Sequence, residues 1–65
     1  MDYETMARDY LAEVERIDRR IDLLRRQGRD HRQADLWERI GHLREIRDDL
    51  RVTAHVLQRR AAQTA

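Results

Sequence analysis

The sequence predicts an all-α fold: an antiparallel two-helix hairpin, coiled-coil-like, that dimerises into a four-helix bundle. Three observations predict it. Apolar residues recur at alternating spacings of three and four along two stretches, the pattern of one narrow stripe on each of two helices. A short polar segment around Gly28 separates the stretches, and the chain contains no proline to break either one. At 65 residues the chain is also near the size at which a single core barely offsets a chain entropy of roughly 1.5 kcal/mol per ordered residue. Two helices facing each other leave the flanks of both stripes in water, whereas two hairpins together close a core.

The first helix is expected over about 2–27. Its stripe runs Tyr3, Ala7, Tyr10, Val14, Ile17, Ile21, Leu24. Asp2 precedes the first periodic residue, where a carboxylate can accept hydrogen bonds from the first-turn amides. Gly28 follows the last periodic residue and is free to take the left-handed conformation that ends many helices, so the turn is expected at about 28–30. The second helix then covers about 31–62, with the stripe Leu36, Ile40, Leu43, Arg47, Leu50, Ala54, Leu57, Ala61. Its start has two readings, because Asp30 with Gln33 and Asp35 with Glu38 both fit a capping box. Capping at Asp35 pairs Tyr10 with Ala54, Ala7 with Leu57 and Tyr3 with Ala61, large against small throughout. Capping at Asp30 slides the helices by one heptad, pairs Val14 with Leu43 and Ile17 with Ile40, and leaves the end of helix two overhanging. The helix-forming Gln33 and Ala34, and the shortness of bundle connections, favour Asp30.

Charged residues make up 42% of the chain, yet 14 basic residues, all of them Arg, stand against 13 acids. That balance argues against a dedicated polyanion binder. Many of these charges follow the helical period: Glu4 with Arg8, Glu15 with Arg19, Asp22 with Arg26 and Asp35 with Arg39 are acid-before-base pairs four apart, a solvated face. With no cysteine there is neither a disulfide staple nor a Cys-ligated zinc site to replace a partner. No apolar run approaches the roughly 20 residues of a membrane span. Asp2 and Glu4 stand where a signal peptide would be basic and then apolar, so a cytoplasmic protein is expected.

The residues expected to carry the dimer or partner interface are Tyr3, Tyr10, Leu11, Val14, Ile17, Ile21, Leu24, Leu36, Trp37, Ile40, Leu43, Arg47, Leu50 and Leu57. Arg47 occupies a stripe position, where a guanidinium must find a carboxylate such as Glu13 or Asp18 or else lay its stem along the seam with its head in water. Trp37 lies beside the seam near the turn, a place for core or subunit packing. Off the stripes lie Met6, Leu11, Leu23, Ile46, Val52 and Val56; scattered they are ordinary, and continuous they would mark a second interface. Arg25, Arg26, Arg29 and Arg32 gather positive charge around the turn and are the candidate nucleic-acid contacts. No aromatic residue is interleaved with them to stack on bases, so a solvated tip is favoured over a nucleic-acid site. Arg59 and Arg60 close the last turn of helix two.

His31, His42 and His55 are too scattered to make a ligand set. Glu38, His42, Glu45 and Asp49 share an outer face, but di-metal bundles need Glu-x-x-His facing inward from two helices. No metal, cofactor or small-molecule substrate is expected. Catalysis lacks its usual parts: the chain has no Ser, Cys or Lys, and no Gly-rich phosphate loop.

The stretch Tyr10-Leu-Ala-Glu-Val-Glu-Arg-Ile-Asp-Arg-Arg-Ile-Asp resembles the opening helix of short proteins encoded by phages and mobile elements of Gram-positive gut bacteria, over about a third of the chain. The resemblance implies a helical hairpin and carries over no functional residue. Gln33-Ala34-Asp35, early in helix two, is similar to the same tripeptide in the plasmid-copy-control RNA-binding hairpin dimers, whose length is also close. Their basic and aromatic RNA-contact face does not reappear, because helix one offers Ala12, Arg16 and Arg20 among acids. The expected function is therefore a structural or regulatory protein-interaction module that acts as a homodimer, with a nucleic-acid-binding hairpin dimer as the alternative.

Overall fold

The computed structural model describes residues 2–30 and 34–64. Two helices, α1 (Tyr3–Asp30) and α2 (Ala34–Thr64), lie side by side along a body of 50 × 14 × 14 Å. Asp2 caps α1 as its position predicts. Its Oδ1 accepts a hydrogen bond from the Glu4 amide at 3.0 Å, its Oδ2 accepts one from the Thr5 hydroxyl, and its carbonyl accepts one from the Met6 amide at 3.1 Å. The Thr5 hydrogen bond, opposed by desolvation and aided by the amides of Glu4 and Thr5 and by the Arg8 charge, holds the Asp2 carboxyl below its ordinary 3.8. A carboxyl depressed in the fold contributes stability that is complete above pH 3.8 and is lost as pH falls through its folded value. The Glu4 amide resonance should therefore titrate with a midpoint below 3.8; a midpoint at or above it would mean that the cap does not form.

The end of α1 corrects two expectations. α1 continues through 28–30, where a turn is expected, and Gly28 is an ordinary right-handed helical residue. Gly28 is buried, and a Cβ there would stand 3.0 Å from Leu36 Cδ2 and 3.2 Å from Trp37 Cζ2. The glycine thus meets a need for close approach between helices, which a sequence does not distinguish from a need for a left-handed cap. Asp30 belongs to α1, and the described part of helix two begins at Ala34 with Asp35 in its first turn. α2 also runs two residues past the expected end at 62. Residues 31–33, which include the expected start of helix two, lie outside the described residues.

The register is likewise the one not favoured above. Asp18 reaches Arg47, Gly28 lies against Leu36 and Trp37, and Ala7 shares a groove with Gln58 and Ala61, so facing residue numbers sum to about 65. Sliding one heptad would set Arg47 opposite Tyr10 and beside Leu11, away from Asp18. It would also set Gly28 beside the turn and strip Leu57 of a partner. The observed register instead buries Ala7, Val14, Ile17 and Ile21 of α1 with Leu36, Ile40, Ala54 and Leu57 of α2. Ile17, Ile21 and Ile40 form the centre of this core, with Leu24, Leu43 and Leu50 packed against it.

Gly41 differs from Gly28 in that a Cβ there would meet nothing within 4 Å. Gly41→Ala should therefore stabilise the fold by about 1 kcal/mol through helix propensity alone. In thermal melts this appears as a rise of roughly 4–8 °C for a domain of this size. A fall would mean that a second helix approaches Gly41 closely.

Candidate interaction surface

Each stripe consists of two columns. One holds Ala7, Val14, Ile21 and Gly28 with Ile40, Arg47, Ala54 and Ala61. The other holds Tyr3, Tyr10, Ile17 and Leu24 with Leu36, Leu43, Leu50 and Leu57. The hairpin covers them unequally. In the first column all but Arg47 and Ala61 are buried, whereas Tyr3, Tyr10, Leu24, Leu43 and Leu50 of the second are only half-buried. The flank beside the first column is thus the more closed of the two and the flank beside the second the more open, although the first also carries grooves, lined by Ala7, Gln58 and Ala61 and by Leu11, Arg51 and Ala54.

The residues three and four positions from each column identify the flanks. Beside the first column lie Leu11, Asp18 and Arg25 of α1 and Trp37, Arg44, Arg51 and Gln58 of α2. This closed flank is laced by charge: Asp18 accepts hydrogen bonds from Arg47 Nη1 at 3.0 Å and Arg51 Nη2 at 3.2 Å, and Arg47 Nε donates to Asp48 at 3.2 Å. The Arg47 side chain is 21% exposed. The Asp18 hydrogen bond, opposed by desolvation and aided by Asp48, raises its already high pKa, so it stays charged at every ordinary pH. Of its two expected partners Arg47 takes Asp18; Glu13 instead bridges Arg16 at 2.8 Å. Because the Asp18 and Arg51 side chains remain 37% and 49% exposed, this network is open to salt screening.

Beside the second column lie Met6, Glu13, Arg20 and Gln27 of α1 and Arg39, Ile46, Thr53 and Arg60 of α2. This open flank carries a groove lined by Arg20, Leu24, Arg39, His42 and Leu43. Ile46 is 50% exposed there, and Leu23 and Val56 stand exposed at its margins. The half-buried Tyr3, Met6, Tyr10, Leu24, Leu43 and Leu50 lie on the same side, interleaved with Glu13, Arg20, Arg39 and Thr53.

The candidate interface residues therefore divide. Val14, Ile17, Ile21, Leu36, Ile40 and Leu57 are spent on the hairpin's own core. Tyr3, Tyr10, Leu24, Leu43 and Leu50 remain accessible on the open flank, while Leu11 and Trp37 are exposed on the closed one. Trp37 lays the edge of its indole over Gly28 of its own chain. Arg25, Arg26 and Arg29 are exposed at the turn end, and Arg32 lies outside the described residues. Glu4 bridges Arg8 at 3.1 Å, but among the described residues the other three expected pairs, Glu15 with Arg19, Asp22 with Arg26 and Asp35 with Arg39, do not close within 4.0 Å. Also among the described residues, no three His, Asp or Glu side chains gather as a metal site, and no helix is long and apolar enough to cross a membrane. No protein family, curated protein or solved structure matches this chain.

Proposed function

We propose that this chain is a structural or regulatory protein-interaction module that works as a homodimeric four-helix bundle. The observation that carries the reading is the unequal closure of the seam: five large apolar stripe residues, Tyr3, Tyr10, Leu24, Leu43 and Leu50, are left half-covered along one flank of a chain with little other core. Burying such surface contributes on the order of 25 cal/mol per Å². A hairpin this small needs that contribution to offset its chain entropy. The charge balance supports contacts with protein rather than with a polyanion.

Melting followed by circular dichroism at a series of protein concentrations tests the proposal. A dimer melts at a temperature that rises with concentration, because association draws the equilibrium toward the folded state. A midpoint independent of concentration over two decades would remove the dimer. Repeating the series with mixed RNA and DNA at low salt addresses the exposed Arg25, Arg26 and Arg29: a salt-sensitive rise in midpoint would favour the nucleic-acid alternative.

A further inference from the structure

We propose that the turn half of the closed flank binds single-stranded nucleic acid, with a base stacked on Trp37 and the backbone held by Arg25, Arg29 and Arg44. The site is complete within one chain, so it does not rest on the dimeric reading above.

In the sequence no aromatic residue stands among the arginines near the turn; the fold supplies one. Trp37 crosses from α2 onto Gly28 of α1, where its Cζ2 and Cε2 stand 3.2 and 3.5 Å from the place of a glycine Cβ. Residues three apart on a helix are neighbours, so Arg25 lies one turn before Gly28, and Arg29 follows it. The only tryptophan of the chain is thereby set beside two guanidinium groups that are exposed at the turn end. On α2 its neighbours are Ala34, three residues before, and Gly41, four after, both too small to cover the ring, and a Cβ at Gly41 would meet nothing within 4 Å. One edge of the indole is thus anchored, and the residue remains 49% exposed. An anchored, open aromatic ring is a stacking platform for a base.

Charge completes the site. Arg44 is exposed in the same column as Trp37, two turns along α2. The closed-flank acids next to these arginines are already engaged: Asp18 accepts from Arg47 and Arg51, and Asp48 accepts from Arg47. Asp22 and Glu38 stand at the margins. The surface around the ring is therefore positive, although the whole chain carries only +1. An apolar protein contact has no use for such a rim, whereas a base flanked by phosphates uses ring and rim together. The bases of a duplex are closed against one another, so the fit is to a single strand.

Because Trp37 is the only tryptophan, its fluorescence reports the site directly. A mixed-sequence single-stranded DNA of about 12 nucleotides, within the usual site sizes, should quench it saturably at low salt, and the affinity should fall as salt is raised. Inorganic polyphosphate, which carries the charge without the bases, should compete with the strand but leave the fluorescence unquenched. By anisotropy of a labelled strand, Trp37→Leu should weaken binding roughly 5- to 150-fold, the worth of one stacked base, and Trp37→Phe should recover most of the loss. Arg25→Gln and Arg44→Gln should each lower the slope of log affinity against log salt by about 0.7, while Arg59→Gln, at the far end of α2, should leave the affinity as it is. The wild-type titration needs no variant, so it decides the matter even where a substitution unfolds the chain. Absence of quenching by the strand at low salt overturns the site, as does equal quenching by polyphosphate. A Trp37→Leu chain of wild-type helicity that binds the strand as tightly as wild type overturns it too. So does a fluorescence change that follows the chain's own concentration and ignores the strand, since a second copy would then cover the ring.

Discussion

Ile40→Ala should cost roughly 2–5 kcal/mol, the usual range for emptying a buried isoleucine site. Ile40 is the most deeply buried large side chain and sits at the centre of the core with Ile17 and Ile21. A chain of 65 residues at about 0.05–0.15 kcal/mol per residue has only a few to ten kcal/mol to lose. The expected result is a helical signal that falls sharply and a melt that starts at or below room temperature. No second layer of side chains lies behind Ile40 to collapse into the space. A drop in the melting midpoint of only a few degrees would mean that the core around Ile17, Ile21 and Ile40 is not where the stability resides.

Leu43→Glu should instead dissociate the assembly. In the lone hairpin this residue is half-buried on the open flank, with Arg20 and Arg39 lining the same groove. A carboxylate there stays hydrated and has cations nearby, so a hairpin that acts alone would tolerate it well. Between two copies the same carboxylate and the guanidinium groups beside it would be taken out of water, a desolvation cost of several kcal/mol per ion. The expected outcome is a shift from dimer to monomer with a lower melting midpoint. Glutamate on the closed flank, as Arg44→Glu, should leave the mass unchanged. A Leu43→Glu protein that keeps both its mass and its melt would show that the open flank faces solvent.

The hairpin was legible because helix period, cap and break are local properties. Tyr3 through Leu24 and Leu36 through Ala61 carry the period, and Asp2 marks a start that its hydrogen bonds to Glu4 and Thr5 bear out. What was not legible depends on contacts between helices. Gly28 reads as a C-cap by position, yet its lack of a side chain serves the approach of Leu36 and Trp37. The register turned on the same kind of contact. Propensity at Gln33 and Ala34 is worth a few tenths of a kcal/mol. It is outweighed by setting Arg47 beside Asp18, Gly28 beside Leu36, and the small Ala54 at the level of Tyr10.

The candidate surface was legible in part. Half of the stripe residues, among them Val14, Ile17, Ile21, Leu36, Ile40 and Leu57, are buried between the helices, but a stripe read on one helix does not say which of its two columns the partner helix covers. That depends on how closely Ala7, Val14, Gly28 and Ala54 let the helices approach on one flank, which leaves Tyr10, Leu24, Leu43 and Leu50 less covered on the other. Ile46 reads as an isolated exposed residue until the pairing of the helices shows which flank it lies on.

The most direct test is the molar mass of the wild-type chain in solution, by light scattering across a concentration series at moderate salt. The account predicts a helical species of twice the 7.9 kDa chain mass that dissociates only on dilution and loses helicity as it does so. A fully helical, cooperatively melting species of 7.9 kDa at every concentration would contradict it, since the half-covered flank would then need no second copy.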